Sequence, residues 1–347
     1  MRILYGAVTM GDGHFSRANA IVPRLRGAGV EVDLVFSGDE SWGLKAGAPH
    51  LQPYRAFAGL TYVRRHGKVD YRETIRGFKP RTLARDYASI RGPYDLVVTD
   101  FEPLTAWWGR RNGVPTVGIA HHYALWSRRA PRPLWPDPLA ELIFRWYAPV
   151  DIPVGLHWRP TTPTTLPPII RGEVAGAKPT DGGDVLVYLP SYTLATLDRV
   201  LGDAALARAS RFVVYPKRGD YEARSPNVAM KPFSREGFAR ALLAVRAVIT
   251  GGGFTLLSEC LHLGKPVYSI PEARQYEQQV NGAALRKWRL GTVARKLDAR
   301  ALAAWLEGPP RAVRTPFPDV VSAFVNWIVE GRKEKPEEMA AALWTKM

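Results

Sequence analysis

Ala247-Val-Ile-Thr-Gly-Gly-Gly-Phe-Thr-Leu-Leu-Ser-Glu-Cys-Leu-His-Leu-Gly264, continued by Lys265-Pro-Val-Tyr-Ser-Ile270, is the stretch from which the rest of the chain can be read. Residues 247–249 form a short apolar run suited to a buried strand, and Gly251, Gly252 and Gly253 follow at once. A helix is expected from about Thr255, because Leu256, Leu257, Cys260, Leu261 and Leu263 recur at helical spacing. Gly264 is placed to cap that helix, and residues 267–270 read as the next strand. Strand, glycine turn, helix and strand in this order make half of a parallel α/β unit.

Glycines at a strand-to-helix turn let backbone N–H groups approach a ligand closely. The helix N-terminus adds unpaired donors and partial positive charge, which suits a phosphate. Glu259 lies about one turn further in, counting from Thr255, where a carboxylate can accept hydrogen bonds from a vicinal diol such as a ribose. Beyond the next strand, Glu272-Ala-Arg-Gln-Tyr-Glu-Gln-Gln-Val-Asn281 supplies Gln275, Glu277, Gln278 and Asn281 for further hydroxyls. Three glycines alone indicate only a tight turn. The acid and the polar cluster at these spacings make a binding site the better reading.

Working outward, residues 3–8 read as a first strand. Gly11, Asp12, Gly13 and His14 form a turn, residues 16–26 a helix, and residues 30–37 a second strand. This is not a dinucleotide fingerprint, since the third glycine is absent and Asp33 lies inside the second strand. Residues 94–100 form a buried strand ending on Asp100, close to Glu102, and residues 115–121 another ending at His121-His122. Ligands of open α/β sheets collect beyond the carboxyl ends of strands, so His14, Asp100, Glu102, His121 and His122 are expected to converge. Adjacent histidines on an extended chain point apart, so only one of the last pair is expected in a cleft. No pair has metal-ligand spacing, and no metal site is expected.

Residues 46–91 read as irregular and basic, and residues 159–184 as a proline-rich linker. A second α/β run begins with a strand at 185–189 and Ser191, and includes a connection through Phe233 and a strand at 291–296. Terminal helices are expected at 320–329 and 336–344.

The 247–281 stretch resembles the nucleotide-sugar site of GT-B glycosyltransferases, closest to the group of the peptidoglycan N-acetylglucosaminyltransferase and related family-28-type enzymes. The resemblance implies an α/β chain of two Rossmann-like parallel-sheet domains facing a central cleft. Residues 1–165 would bind acceptor, 166–318 the nucleotide sugar, and 319–347 would return to the first domain. It assigns the diphosphate to Gly251, Gly252 and Gly253 with Phe254 and Thr255, the ribose to Glu259, and the base to Phe233. Ser191, Gln275 and Asn281 join the donor side. Glu277-Gln278 and Gln278-Gln279 both fit the pair that contacts the donor sugar. Gly11, Asp12, Gly13, Glu102, His121 and His122 fall on the acceptor side. His14 is the expected base, with Asp100 its orienting partner or the base itself. The implied activity is inverting, metal-independent hexosyl transfer from a UDP-sugar to a hydroxyl of a lipid-linked or hydrophobic acceptor, with no cofactor. A UDP-sugar 2-epimerase would share the fold.

The composition is compatible with this reading. A chain of 347 residues with 46% hydrophobic content accommodates two cores. One cysteine, Cys260, excludes an intramolecular disulfide framework and reads as core packing. No stretch approaches ~18 uninterrupted apolar residues, so a cytoplasmic protein is expected, peripheral on the inner membrane face at most. Forty-eight Lys and Arg against 32 Asp and Glu give a net charge of +16, which favours an anionic partner. Segments 54–91 and 126–147 interleave arginines with rings such as Tyr54, Phe57, Tyr62, Phe78, Trp126 and Trp146, a pattern for single-stranded nucleic acid or an anionic membrane surface. Glu259, Glu277 and Gln278 argue against a non-catalytic protein binding nucleic acid or anionic polymer, the remaining alternative, so nucleic acid is not expected. The resemblance favours membrane or acceptor contact for these segments over a solvated face with packed aromatics.

Overall fold

The computed structural model describes residues 1–347 apart from 10, 39–48, 61–62, 66–67, 204–205, 207–209, 217–218, 220, 274, 310–311 and 313, with the backbone alone at 49, 63–65, 68–71 and 75. The first half contributes strands β1 (Arg2–Val8), β2 (Glu31–Ser37), β3 (Tyr54–Phe57), β4 (Val63–Arg65), β5 (Lys68–Asp70), β6 (Leu96–Asp100), β7 (Thr116–Ala120), β8 (Ile152–Leu156) and β9 (Thr165–Leu166). Seven of them form one parallel sheet in the order β3-β2-β1-β6-β7-β8-β9, and β4 and β5 pair as an antiparallel ribbon. The second half contributes β10 (Val185–Tyr188), β11 (Phe212–Val214), β12 (Val228–Met230), β13 (Ala247–Thr250), β14 (Val267–Ser269) and β15 (Thr292–Val293). These form a second parallel sheet, β12-β11-β10-β13-β14-β15.

Helices cover both faces of such sheets, so the strands read as continuous apolar runs. Ile3, Leu4, Tyr5 and Ala7 of β1 and Ala247, Val248 and Ile249 of β13 are all fully buried. Strand order reverses between β1 and β6 in one sheet and between β10 and β13 in the other. A crevice opens at the carboxyl ends of the strands at each reversal. The register puts Ala7 beside Asp100 at one of these points and Tyr188 beside Thr250 at the other.

Several sequence expectations are corrected. The first helix spans Asp12–Gly27, so Asp12, Gly13 and His14 are its first turn, not a loop before it. Gly11, at φ 132, makes the abrupt entry in a backbone conformation that L side chains rarely adopt, although a Cβ there would meet open space. Residues 46–91 are not irregular where described: they hold β3, the β4–β5 ribbon and helices Tyr71–Arg76 and Pro80–Ala88. The strand read as ending on His121 stops at Ala120, and His121–Ala124 is a helical turn. The linker contains β9 and helix Gly172–Ala175, and the strand expected at 291–296 shrinks to β15.

The C-terminal helices pack on the first half. Helix Val320–Val329 buries Val320, Val321, Phe324, Val325, Trp327 and Ile328 in the core shared with helix Asp12–Gly27, and Arg24 donates to Asp319 at 3.0 Å. Helix Pro336–Trp344 is fastened by the Trp344 indole N–H, which donates to the Thr165 carbonyl at 2.6 Å.

Candidate active site

Asp100 ends β6 with no exposed surface, and three donor atoms converge on it. His14 Nδ1 lies 2.8 Å from Oδ1, Arg17 Nε donates to Oδ2 at 2.7 Å, and Arg17 Nη2 donates to Oδ1 at 2.8 Å. Burial pushes the Asp100 carboxyl up, but the Arg17 charge, then His14 and their hydrogen bonds, outweigh it and hold it below its usual range. Burial likewise opposes the Arg17 charge, and Asp100 more than restores it. Arg17 Nη2 also lies 2.8 Å from His14 Nδ1. A guanidinium offers only hydrogens, whereas Asp100 offers lone pairs. In the tautomer whose Nδ1 hydrogen is donated to the carboxylate, His14 Nε2 is the lone-pair nitrogen.

Behind His14 stands a column of rings. His14 stacks on His122 at 5.7 Å between centroids, and His122 on Phe101 at 3.9 Å. Phe101 takes φ 58, a left-handed conformation costing on the order of 1 kcal/mol; the turn carries the chain sharply away from Asp100. His122 is pushed well below its ordinary pKa, by burial first and then by the charges of His14 and Arg17. Its Nδ1 is buried without a hydrogen bond among the described residues, while Nε2 lies 3.7 Å from Glu277 Oε2.

Glu102, expected on the acceptor side, is a helix cap. It has no exposed surface and accepts from Leu104 N at 3.0 Å, Thr105 N at 2.6 Å, Thr105 Oγ1 at 2.6 Å and Ser37 Oγ at 2.8 Å. All of its lone pairs are occupied in this way, which removes it from the cleft. His121 and His122 are both buried between the sheets, against the expectation that one would turn away; a helical turn, unlike a strand, does not send neighbours to opposite faces. His121 Nδ1 meets the Leu156 carbonyl at 2.9 Å, and Nε2 meets Asn281 Oδ1 at 2.8 Å. Its ring stacks on Phe254 at 3.9 Å. Two oxygen partners would suit an imidazolium, but burial prevails and lowers the pKa to about 4.

Across the cleft, the glycine turn after β13 is only partly open. Gly252 has φ 99, and a Cβ there would lie 3.2 Å from Ser269 Oγ; one on Gly251 would lie 3.4 Å from Gln278 Oε1. Gly253 is exposed, with open space where a Cβ would stand. It precedes helix Phe254–Leu263, whose N-terminus has no side-chain cap. Gly13 faces this helix end: a Cβ on Gly13 would lie 2.7 Å from Thr255 Oγ1. Gly264, at φ 71, ends the helix as the sequence indicates, and Cys260 is buried on its inner face with its thiol pushed up by burial.

Glu259 does not face an open cavity. Arg171 grips it with Nε at 2.5 Å from Oε1 and Nη2 at 2.7 Å from Oε2. Gln275 caps helix Tyr276–Trp288 by accepting from Gln278 N at 2.6 Å. The Gln278 side chain accepts from Glu272 N at 2.9 Å, and Gln279 Nε2 donates to the Glu272 carbonyl at 2.8 Å. Both glutamines thus fasten the loop before their helix, and Glu277 is the member of the trio that looks across to His122. Asn281 is fully buried and donates to the Gly252 carbonyl at 3.0 Å, so it ties the turn to His121. Ser191 is half-buried just after β10, and Phe233 packs with Tyr188, Tyr215 and Phe238.

Further contacts cross between the halves. Tyr188 donates to Asp12 Oδ2 at 3.2 Å, Arg235 lies 4.0 Å over the Phe15 ring, and Trp158 Nε1 donates to Ser258 at 2.8 Å. Sequence reasoning missed Arg17 and Arg171. Arg17 stands three residues after His14, a same-face spacing once the helix is known to start at Asp12. Arg171 gave no signal, being one of three cations scattered through the proline-rich stretch at 159–184.

Comparison with known proteins agrees with this architecture. Solved structures cover the chain almost end to end. The spinosyn forosaminyltransferase SpnP has a TM-score of 0.55 at 17% identity, covering 99% of this chain and 98% of that one. SnogD from Streptomyces nogalater has a TM-score of 0.55 at 19% identity, covering 100% and 99%. UGT89C1 of Arabidopsis thaliana, complexed with UDP-L-rhamnose, has a TM-score of 0.56 at 15% identity, covering 99% and 98%. At such identities the likeness is one of fold, the GT-B fold. No curated protein matches the chain by sequence. The family model described as Glycosyl transferase family 1 matches residues 1–310. The chain therefore belongs to that family and is a glycosyltransferase.

Proposed function

We propose that the enzyme transfers a sugar from a UDP-sugar to a hydroxyl of a lipid-linked or otherwise hydrophobic acceptor, inverting the anomeric centre without a metal or cofactor. The observation that carries this reading is the approach of Gly13 to Thr255. It brings the turn bearing His14 against the uncapped N-terminus of helix Phe254–Leu263, so a base and a diphosphate cradle share one mouth. His14 Nε2 takes the acceptor proton as the hydroxyl oxygen bonds to C1. The C1–oxygen bond to the diphosphate breaks, and its electron pair leaves with UDP. A single displacement with one base inverts the centre. The backbone amides after Gly252 and the helix dipole meet the charge that develops on the leaving group.

The geometry supports further roles around this mouth. Asp100 orients His14 and is not the base, because Arg17 occupies its oxygens. Glu277, facing His122, is the carboxylate that meets the donor sugar, whereas Glu259, buried with both oxygens held by Arg171, is not free to take the ribose. Phe233, within its aromatic cluster, borders the base, with uracil preferred. The complex of UGT89C1, a structural relative, with UDP-L-rhamnose supports that preference. The relation to the peptidoglycan N-acetylglucosaminyltransferase group rests on the turn motifs alone.

Thermal-shift measurements with UDP, dTDP and GDP test the donor: UDP should raise the melting temperature most. With the donor so identified, His14→Ala should lower UDP release in the presence of acceptor by about 10²- to 10⁴-fold while the UDP-induced shift persists. Unchanged turnover in His14→Ala would remove the assignment of the base. Free epimerised sugar from donor alone would favour a 2-epimerase.

A further inference from the structure

The segment from Trp126 to Trp146 ends in helix Pro138–Trp146, started by Asp137, which accepts from Leu139 N and Ala140 N at 3.0 and 3.2 Å. Leu139, Leu142, Ile143 and Trp146 follow the i, i+3, i+4, i+7 spacing of one face, and all are exposed. Leu134 and Trp135 in the preceding loop are 86% and 89% exposed. The opposite face is anchored. Phe144 is buried against Phe101, His122 and Tyr276, and Glu141 pairs with Arg132 and accepts from Tyr276. The outer face is therefore held rigidly in water with six large apolar side chains and nothing covering them among the described residues, which is the signature of an interaction site.

Charge decides the partner. Arg128 and Arg129 are exposed and make no ion pair among the described residues, and Arg145 lies 4.4 Å over the Trp126 ring. Arg128, Arg132 and Arg145 line a groove of about 400 Å³ beside this face together with Trp126, Phe144 and Glu141, the last paired with Arg132, so that Arg128 and Arg145 are its uncompensated cations among the described residues. A second copy would bring these cations, on a chain of net charge +16, against their own images. Acidic headgroups over acyl chains match both the cations and the apolar residues, and tryptophan favours that boundary.

We propose that this face docks peripherally on an anionic phospholipid bilayer, with the helix lying in the plane of the interface. Phe144 connects its inner side to His122 and so to His14, which places the mouth of the cleft at the lipid surface. The proposal does not depend on the identity of the donor.

The test is co-sedimentation of the full chain with phosphatidylcholine vesicles, with and without about 30% phosphatidylglycerol. The wild-type chain should sediment with the anionic vesicles, and W135S/W146S should lower its partition coefficient about tenfold or more. Both tryptophans are exposed, so the variant should keep the wild-type melting temperature and any UDP-induced shift. R128E/R129E should erase the preference for phosphatidylglycerol. Absence of wild-type sedimentation would overturn the proposal, as would equal sedimentation of W135S/W146S. A wild-type dimer that W135S/W146S dissolves, with no vesicle binding, would assign the face to self-association instead.

Discussion

Asp100 keeps its negative charge in a place no water reaches, and it does so because Arg17 spans both its oxygens. The Arg171–Glu259 pair repeats this device on the other side of the cleft, with the Arg171 side chain 19% exposed and that of Glu259 1%. Removing one partner of a buried pair leaves an uncompensated charge, at a cost of about 3–5 kcal/mol. Arg171→Ala should therefore lower the free energy of unfolding by about 3 kcal/mol, read from urea denaturation. Arg171→Ala/Glu259→Gln should recover part of the loss, because the orphaned charge is gone. A single variant as stable as wild type would mean that solvent already reaches Glu259.

Among the elements, the glycine turn and its helix were the most legible in sequence. The spacing of Leu256, Leu257, Cys260 and Leu261 reports a local, one-helix property, and Gly264 its end. What escaped was decided at longer range. Glu102 resembles a cleft acid because it follows a strand end, but its carboxylate is used by a helix start, of which Pro103 is the local sign. His121 and His122 were misplaced because the strand stops one residue earlier than expected, at Ala120, and a helical turn begins at once, which changes where the two rings point. The partnership of His14, Arg17 and Asp100 joins positions 86 and 83 residues apart, which no local pattern records. Of segment 54–91, Phe57 is buried and Tyr54 and Tyr87 pack against the cores, while Phe78 is exposed. Its rings thus serve mostly the fold, and Tyr62 lies outside the described residues. The turn itself gives a paired test. Gly252→Ala forces a side chain into φ 99 beside Ser269 and should cost about 1–2 kcal/mol. Gly253→Ala, whose methyl group would enter open space, should melt within about 0.5 kcal/mol of wild type yet weaken UDP binding by crowding the amides. Equal stability losses would contradict the difference between the two positions.

For the molecule as a whole, imidazoles at and beside the join between halves set the pH dependence. His121, bonded to Asn281, is lowered to about 4 by burial, and His122 and the neighbouring His157 are pushed well below their ordinary range by the same cause. A depressed histidine takes up its proton more readily in the unfolded chain. Its contribution is complete above about pH 6.5 and is lost as pH falls toward about 4, on the order of 3 kcal/mol for His121. The melting temperature should accordingly drop steeply between pH 6.5 and 4.5, and His121→Gln should flatten the slope. A level profile across that window would show that the join does not bury these rings in solution.

Trp344 on the Thr165 carbonyl, with helix Val320–Val329 against helix Asp12–Gly27, also bears on how the polypeptide is made. The amino-terminal half cannot finish its own packing from its own residues, so on the ribosome it waits with an uncovered apolar stripe while the second half is synthesised. Its packing is complete only once residues 320–344 have emerged.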